Sequence, residues 1–497
     1  MASQAVLTPQ GKDFPQWYQD VVARAELAEN GPARGTMVIR PWGFAIWELM
    51  QADMDRRIKA TGAQNVNFPL FIPMSYLEKE AEHVEGFSPE LAVVTHGGGQ
   101  ELAEPLAVRP TSETVINSSF AKWIQGYRDL PMLLNQWVNV VRWEMRPRLF
   151  LRTTEFLWQE GHTAHATHEE SLAETIRILN LYGDFADQIL AMPVVRGLKS
   201  DSEKFAGALQ SYCIEGCMQD GKALQAGTSH DLGQNFGKAF DVKFQNERGE
   251  SEHVWQTSWG VSTRLIGGLI MSHSDDEGLV LPPRVAPTHA VIVPIFRNDA
   301  EKAGVMEAAL RVKASLADID LAPERSRYRD FVEVVIDDRD LRPGAKYYHW
   351  ERRGVPVRIE LGPRDVAKGQ VVAKMRADSE AGRGKEFVPE AEFVATFRDR
   401  MLRYQTELYR LARERRDQAS ISLDSWDDLV AAFEGEKSTF AWCHWDGTRD
   451  TEAAIKDATQ VTVRCIPLPG QGPPAEPGRC IKTGKPSPQR VLMAKAY

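Results

Sequence analysis

The stretch Arg142-Trp143-Glu144, followed by a loop and then by Arg152-Thr153-Thr154-Glu155-Phe156, is the most informative part of this chain. An arginine carries a permanent charge and a planar fork of N–H donors, so it can hold the oxygens of an α-phosphate while a carboxyl group attacks the phosphorus. Glu144 is two residues after Arg142, and on a strand the two side chains would share one face. The alternative is an exposed pair of strands whose charges happen to be two residues apart.

Four further stretches flank this one and favour the phosphate-binding interpretation. They are Arg109-Pro110-Thr111-Ser112-Glu113-Thr114, Phe156-Leu157-Trp158-Gln159-Glu160-Gly161-His162, Gln225-Ala226-Gly227-Thr228-Ser229-His230 and Trp259-Gly260-Val261-Ser262-Thr263-Arg264. In this order the stretches resemble the signature of the class II prolyl-tRNA synthetases, in the archaeal and eukaryotic-like type that has a C-terminal extension and no inserted editing domain. The stretch from Arg142 to Phe156 resembles motif 2 of that class, and Arg264 falls in motif 3.

The resemblance covers nearly the whole chain and implies a multidomain protein of mixed α/β and α+β class. Residues 1–285 would form the class II catalytic domain around an antiparallel sheet, 286–400 an α/β anticodon-binding domain, and 401–497 a small α+β C-terminal domain of the zinc-binding kind. Beyond residue 286 the helical and strand patterns alternate, which by itself predicts an α/β domain with a largely parallel sheet.

The family's activity is the ligation of proline to tRNA. The resemblance implies that the protein activates L-proline with ATP, supplied as Mg-ATP, and transfers the prolyl group to the 3′ end of tRNA(Pro). Arg142 and Arg264 would be the catalytic residues. The positions that match the family's ATP contacts are Arg142, Glu144, Arg152, Thr153, Gln225, Thr228, Ser262 and Arg264.

Proline is a small apolar ring with a secondary ammonium, so its pocket needs an apolar wall and a few acceptors. Alternation along one strand would put Phe156, Trp158, Glu160 and His162 on the same face. With the resemblance, the residues expected to bind proline are Thr111, Glu113, Arg142, Trp158, Glu160, His162 and His230, beside a wall that includes Phe156.

The net charge of −9 seems to argue against a nucleic acid, but tRNA needs only a local basic face. The segment from residue 339 to residue 376 contains ten lysines and arginines but only four acidic residues. The segment Trp350 to Asp365 is similar to the family's anticodon-binding segment, which implies that Glu351, Arg358 and Arg364 contact the anticodon. A salt-bridged strand face is the alternative.

One departure from the family concerns zinc. The C-terminal domain of the family often binds zinc through two pairs of cysteines, whereas here Cys443 and Cys480 are followed by Thr448 and Thr483 where the second cysteines would stand. Two thiolates rarely make a closed zinc site, and His444 or Asp446 would have to replace the others. We therefore expect no structural zinc.

Other sites and locations are disfavoured by the sequence. Residues 233–239 are one residue short of a P-loop and have Ala239 where Ser or Thr must bind magnesium. His162 and His165 fall outside the helix that the cap at Thr167 starts, so a metal site with His168 is not expected. Five cysteines make no disulfide framework, and without a signal peptide or membrane segment we expect a cytoplasmic protein.

Two rival functions remain open. One is a synthetase-like RNA-binding or regulatory protein without catalysis, which would be free to lose Arg142, Glu144, Arg152 or Arg264. The other is activation of a different amino acid, threonine above all.

A homodimer is expected from a further resemblance. Motif 1, the dimer-interface element of the class, resembles the helical stripe from Gly43 to Ala60 followed by the extended run Val66 to Pro73.

Overall fold

The computed structural model describes residues 7–83, 91–321, 331–377, 384–436 and 438–497. In the N-terminal region the helices are α1 (Phe14–Arg24), α2 (Pro41–Lys59), α3 (Met74–His83), α4 (Glu113–Trp123), α5 (His168–Gln188), α6 (Asn235–Ala239) and α7 (Arg264–His273). The strands of this region are β1 (Ala28–Asn30), β2 (Met37–Ile39), β3 (Gln64–Asn65), β4 (Phe71–Pro73), β5 (Ala92–Gly97), β6 (Gln100–Val108), β7 (Met132–Val141), β8 (Glu155–His165), β9 (Val194–Leu198), β10 (Gln210–Cys217), β11 (Ala223–Gly233), β12 (Lys243–Gln245), β13 (Ser251–His253) and β14 (Trp255–Ser262).

The middle region follows the 3₁₀ turn Pro283–Val285 and contains β15 (Ala290–Pro294), α8 (Asp299–Ala317), β16 (Val334–Ile336), α9 (Pro343–Arg352), β17 (Val357–Leu361), α10 (Pro363–Ala367), β18 (Gln370–Met375) and β19 (Glu386–Pro389). The last region contains α11 (Glu390–Ala419), β20 (Ser420–Leu423), α12 (Trp426–Ala432), β21 (Phe440–His444), α13 (Arg449–Thr459), β22 (Thr462–Pro467), β23 (Gly478–Arg479), β24 (Pro486–Ser487) and β25 (Arg490–Ala494).

A long, mostly antiparallel sheet is the framework of the catalytic region. Its strand order is β20-β21-β25-β22-β9-β10-β11-β14-β8-β7-β3, and β7 to β11 with β14 form its antiparallel centre. Helix α5 covers the back of this centre, where the Tyr182 hydroxyl donates to Gln159 Oε1 at 2.6 Å. Because side chains alternate along β8, Trp158 and Glu160 on either side of Gln159 point to the front face. The antiparallel core expected from the sequence is confirmed.

Helix α5 begins where the sequence predicted. Thr167 accepts from the backbone N–H of Glu170, and the Glu170 carboxylate accepts from the Thr167 backbone N–H, which completes a capping box. His162 and His165 therefore lie on β8 rather than on the helix. Within the described ranges no cluster of three or more His, Cys, Asp or Glu side chains has the geometry of a metal site.

The sheet of the middle region is mixed, so the expectation of a largely parallel sheet is only half right. Its order is β16-β15-β17-β18-β19, with β15 parallel to β16 and β17, but β18 and β19 antiparallel. The reason is the short connection from Leu361 to Gln370. A parallel crossover needs a dozen or more residues, so β18 can only return antiparallel to β17.

The C-terminal region is continuous with the catalytic sheet. Strand β22 pairs with β9 through Ile466 and Leu198. At the neighbouring position Gly197 a Cβ atom would lie 2.5 Å from the sulfur of Cys465, so only glycine allows this approach. The expected boundary at residue 400 falls inside the continuous helix α11, which links the middle and last regions.

A buried ion pair joins β22 to β10 across this junction. Arg464 Nη2 lies 2.9 Å from Oε1 of Glu215, and its Nε donates to Oε2 at 3.2 Å. The side chain of Glu215 is 0% exposed and that of Arg464 is 8% exposed. The pair therefore fixes the C-terminal region to the catalytic sheet in an environment largely shielded from water.

We expect Arg464→Met to destabilise the protein by about 3–5 kcal/mol, because it leaves the Glu215 carboxylate buried without its partner. The measurement is the denaturant midpoint of unfolding. Arg410→Met is the matched control, since Arg410 pairs with Glu407 and Glu414 at the surface and such pairs contribute at most about 1 kcal/mol. Equal midpoints for the two variants would contradict the role of the pair.

Candidate active site

A cavity of about 610 Å³ lies on the front face of the central sheet. The strand register explains which side chains reach it. Trp158, Glu160 and His162 of β8 pair with Ser262, Gly260 and Ser258 of β14, and the last two pair in turn with Thr228 and His230 of β11. Cross-strand partners share a face, so these positions converge. Gly260 lies under the Trp158 ring, where a Cβ would be 2.4 Å from the indole.

Every residue that the sequence predicted for the proline and ATP sites lines this cavity. The lining includes Thr111, Glu113, Arg142, Glu144, Arg152, Thr153, Phe156, Trp158, Glu160, His162, Gln225, Thr228, His230, Ser262 and Arg264. These residues come from positions up to 153 apart in the chain. The structure therefore brings the predicted set together at one site.

The expectation that Arg142 and Glu144 share a strand is wrong. Strand β7 ends at Val141, and Arg142 to Glu144 begin the loop toward Arg152. The Arg142 backbone N–H still donates to the carbonyl of Thr154 at 2.8 Å, which fixes the loop's entry. Glu144 lines the cavity from the loop, where its carboxylate lies 3.8 Å from the Arg152 guanidinium.

Arginine side chains from two of the sequence motifs, Arg142 and Arg264, surround one half of the cavity. Arg142 donates from Nε to the Pro110 carbonyl at 2.9 Å, and its guanidinium carbon lies 5.3 Å from the centre of the Trp158 ring. Arg264 donates from Nε to the Leu151 carbonyl at 3.1 Å. Backbone carbonyls thus orient the two guanidinium groups without neutralising them.

The positive charges of Arg142 and Arg152 affect the pKa of Arg264. Burial is the main cause that lowers the pKa of Arg264 to about 10, and the positive charges of Arg152 and Arg142 lower it further, while Glu215 opposes them. With a pKa of about 10, Arg264 keeps its charge near neutral pH. This half of the cavity therefore holds a concentration of positive charge that suits an anion.

Carboxylates and a histidine form the other half of the cavity. The Thr111 hydroxyl donates to Glu113 Oε2 at 2.5 Å. Glu160 accepts from Ser112 and Gln136 at Oε1 and contacts His162 Nε2 at 3.0 Å through Oε2. Burial opposes both charges, but their hydrogen bond lowers the pKa of Glu160 and raises that of His162, which the Glu113 charge raises further.

The pKa of His230 is shifted in the opposite direction from that of His162. Burial is the main cause that lowers its pKa to about 3, with help from the positive charges of Lys199, Arg142 and His162. Its Nδ1 lies 2.8 Å from the Ser211 hydroxyl, and its ring packs on Phe205 with 4.8 Å between centroids. His230 is therefore a neutral, ring-shaped part of the wall.

Phe205 and Lys199 are cavity residues that the sequence reasoning missed. Both belong to the loop between β9 and β10, together with Glu203 and Ala206. This loop has no periodic pattern. Phe205 is held at the site by contacts between distant segments, among them the hydrogen bond from its backbone N–H to the Ser211 hydroxyl, and Ser211 is the cross-strand partner of His230. Nothing in the sequence alone indicates that pairing.

The same loop is held by the C-terminal region. The Ser200 hydroxyl donates to Glu452 Oε1 of α13 at 2.9 Å, and Arg449 Nη2 lies 3.4 Å from the Asp201 carbonyl. Glu452 is 4% exposed, and burial raises its pKa. A distant part of the chain thus positions one wall of the cavity.

The predicted anticodon residues lie in the middle region, away from the cavity. Arg358 Nη1 contacts Glu351 Oε1 at 2.5 Å and its Nη2 contacts Glu360 Oε1 at 3.0 Å, so Glu351 and Arg358 are together. Arg364 is separate, in the first turn of α10, which packs against α8. Lys374 and Lys385 join the Arg358 cluster through Glu351 and Glu360, and the sequence reasoning did not single them out.

Comparison with known proteins agrees with this architecture. Residues 94–273 match the class II core domain of the G, H, P, S and T tRNA synthetases, 289–400 match an anticodon-binding domain, and 426–497 match the C-terminal domain of prolyl-tRNA synthetases. The proline–tRNA ligase of Roseiflexus castenholzii is 51% identical over 494 residues, 99% of each chain. That of Chlorobium luteolum is 54% identical over 497 residues.

The chain belongs to the proline–tRNA ligase family. Solved structures of the family have the same fold. Prolyl-tRNA synthetase from Cryptosporidium parvum complexed with halofuginone and AMPPNP superposes with a TM-score of 0.89 at 39% identity, over 99% of both chains. The complex of that enzyme with L-proline and AMP gives 0.88 at 38% identity, over 99% of this chain and 97% of the other.

Loss of the Glu452 contact should loosen the wall that carries Phe205. We expect Glu452→Ala to speed amide hydrogen exchange in residues 199–209 by roughly fivefold or more, because it leaves the buried Ser200 hydroxyl without its partner at a cost of about 1–3 kcal/mol. Hydrogen exchange with mass spectrometry measures this. Asp424→Ala is the control, because it removes only an exposed partner of Arg490. Unchanged exchange in Glu452→Ala would show that the loop is held by other contacts.

Proposed function

We propose that this protein activates L-proline with ATP, as Mg-ATP, to give prolyl-adenylate and pyrophosphate, and then transfers the prolyl group to the 3′ end of tRNA(Pro). The observation that carries the proposal is the convergence of Arg142, Arg152 and Arg264 on one cavity whose other half holds carboxylates. The family membership of the chain supports the same reaction.

The arginines suit the first chemical step. A carboxylate is already a nucleophile, so attack on the α-phosphate needs no general base but needs positioning and stabilisation of charge. In this proposal Arg142 contacts both the α-phosphate and the carboxylate of proline. Arg264 and Arg152 hold the rest of the triphosphate, with Glu144, Thr153, Gln225, Thr228 and Ser262 along the nucleotide.

The acidic half of the cavity suits the ammonium of proline. We assign Glu113 and Thr111 to the ammonium because their oxygens meet at the cavity wall. Both oxygens of Glu160 already accept hydrogen bonds, so we assign it the positioning of His162. Trp158, Phe156 and the neutral His230, backed by Phe205, would enclose the apolar ring.

The two rivals raised by the sequence are less well supported. A non-catalytic relative has no need to keep all three guanidinium groups in one cavity. Threonine would need partners for its hydroxyl, whereas the wall toward Phe205 and Trp158 is aromatic. The described residues 155–264 contain only strands, helices and loops of the catalytic region, which agrees with a chain that carries no inserted editing domain.

The wider partners are part of the same proposal. The middle region would bind the anticodon through Glu351 and Arg358, with Arg364 contributing from α10. We propose a homodimer through the segment from Pro41 to Pro73, because β3 is the edge strand of the large sheet.

Among the described helices none has both the length and the apolar composition to span a membrane. The reaction proposed here belongs in the cytoplasm, where tRNA is charged.

We also propose that the C-terminal region folds without zinc. Around Asp446 the hydroxyls of Thr448, Thr451 and Thr483 donate to its carboxylate at 2.9, 3.0 and 2.9 Å. Burial opposes a charge on Asp446, but the bonds from Thr448 and Thr483 lower its pKa. Burial is the main cause that raises the pKa of Cys443 to about 12, which disfavours the thiolate that zinc needs.

Replacement of Arg142 tests the proposed activation step. Arg142→Ala should lose about 3 kcal/mol or more of transition-state stabilisation, roughly 150-fold in kcat/KM, because the donor fork at the phosphate is gone. The measurement is proline-dependent exchange of pyrophosphate into ATP. Arg146→Ala, which changes an exposed arginine of the same loop outside the cavity, should retain exchange. Near-normal exchange in Arg142→Ala would refute its assignment.

The zinc content of the purified protein tests whether the C-terminal region folds without the metal. Elemental analysis of the purified protein should find far less than one zinc per chain. Thr448→Cys/Thr483→Cys supplies four cysteines at the family's spacing and should gain a tightly held zinc, because four thiolates make a closed tetrahedral site. One zinc per chain in the unchanged protein would overturn the proposal.

A further inference from the structure

We propose that Phe387 is a stacking platform for an unpaired base of the tRNA anticodon. The proposal deepens the proposed function, since it rests on the middle region binding the anticodon. Phe387 is 66% exposed, which is the largest exposure among the large apolar side chains of the described residues.

The strand register places Phe387 on the same face as the charged cluster. Glu360 of β17 pairs with Val372 of β18, and Val372 pairs with Phe387 of β19. Cross-strand partners point to one face, and adjacent strands are about 4.8 Å apart. The backbone of Phe387 is therefore about 10 Å from that of Glu360, within the span of two neighbouring nucleotides.

The opposite face of this sheet is not available. Val388, which alternates with Phe387, is buried with Ile359, Val371 and Phe397 in the core formed against α8 and α11. The face with Phe387 carries polar groups instead. Arg358 pairs with Lys374 across β17 and β18, and the guanidinium of Arg358 lies 3.9 Å from the centre of the Tyr347 ring.

Charge complementarity favours a nucleic acid as the occupant. Lys385 is two residues before Phe387, and its Nζ lies 2.6 Å from Glu360 Oε2. The face thus carries cations that suit phosphates and one ring without a partner among the described aromatic contacts. Beside them lies Arg358, which is buried and held by Glu351 and Glu360. Single-stranded RNA is recognised by an aromatic face flanked by cations.

Binding of tRNA(Pro) should depend on the flat aromatic face of residue 387 rather than on the amount of apolar surface that its side chain offers. Phe387→Ala should raise the Kd and KM for tRNA(Pro) by roughly 5- to 150-fold, the range for loss of one base–aromatic stack. Phe387→Tyr should behave like the unchanged protein, whereas Phe387→Leu should resemble Phe387→Ala. Proline-dependent pyrophosphate exchange, which needs no tRNA, should be unchanged in all three.

Phe331 provides a matched control. It is 58% exposed and precedes β16, which lies at the other edge of the same sheet from β19. Phe331→Ala should leave tRNA charging unchanged. An anticodon stem-loop with 2-aminopurine in the loop adds a direct probe, since its fluorescence should be quenched by the unchanged protein and Phe387→Tyr but not by Phe387→Leu.

Three results would overturn the proposal. They are charging by Phe387→Ala within about twofold of the unchanged protein, equal quenching by Phe387→Leu, and a change of oligomeric state in Phe387→Ala on analytical ultracentrifugation, which would identify a subunit contact instead. The outcome is separable from the proposed function. If the unchanged protein charges tRNA(Pro) and Arg358→Ala does not, anticodon binding by this face stands whatever Phe387 does.

Discussion

The structure depends on keeping three positive charges close together with only partial compensation by the carboxylates of Glu144 and Glu215. Arg142 and Arg264 are oriented by the carbonyls of Pro110 and Leu151, which accept hydrogen bonds but carry no net charge. The remaining repulsion is evident in the lowered pKa of Arg264, with Arg152 and Arg142 among its causes. Such an arrangement is costly in the empty protein and becomes favourable when an anion enters. In the proposed function it is a preorganised site for a polyphosphate.

The rest of the fold can be understood as support for this arrangement. Antiparallel pairing of β7, β8, β14 and β11 sets the positions of the cavity residues, and α5 closes the back of the sheet. The C-terminal region adds two braces. The Glu215–Arg464 pair lies beneath the arginine-lined half, where Glu215 is the cross-strand partner of Gln225. Glu452 holds the loop that carries Phe205. Thus a region far from the chemistry positions both halves of the site.

Much of this could be predicted from the sequence, for identifiable physical reasons. The alternation from Phe156 to His162 and the capping box at Thr167 are local patterns, so β8 and the start of α5 followed directly. Arg142 and Glu144 were placed on a strand because short loops carry no periodic signal. Phe205 and Glu452 were missed because their roles arise from contacts between distant segments. The direction of β18 was also missed, since the length of the Leu361–Gln370 connection outweighs the alternating pattern.

The most direct test of the proposed function is pyrophosphate exchange measured separately with each standard amino acid. The proposed site has guanidinium groups for the α-phosphate beside an aromatic pocket fitted to a small apolar ring with a secondary ammonium. The proposed function predicts that proline supports exchange far better than any other amino acid, with any weaker activity confined to small residues such as alanine. Exchange that depends on threonine, or none with any amino acid, would contradict it.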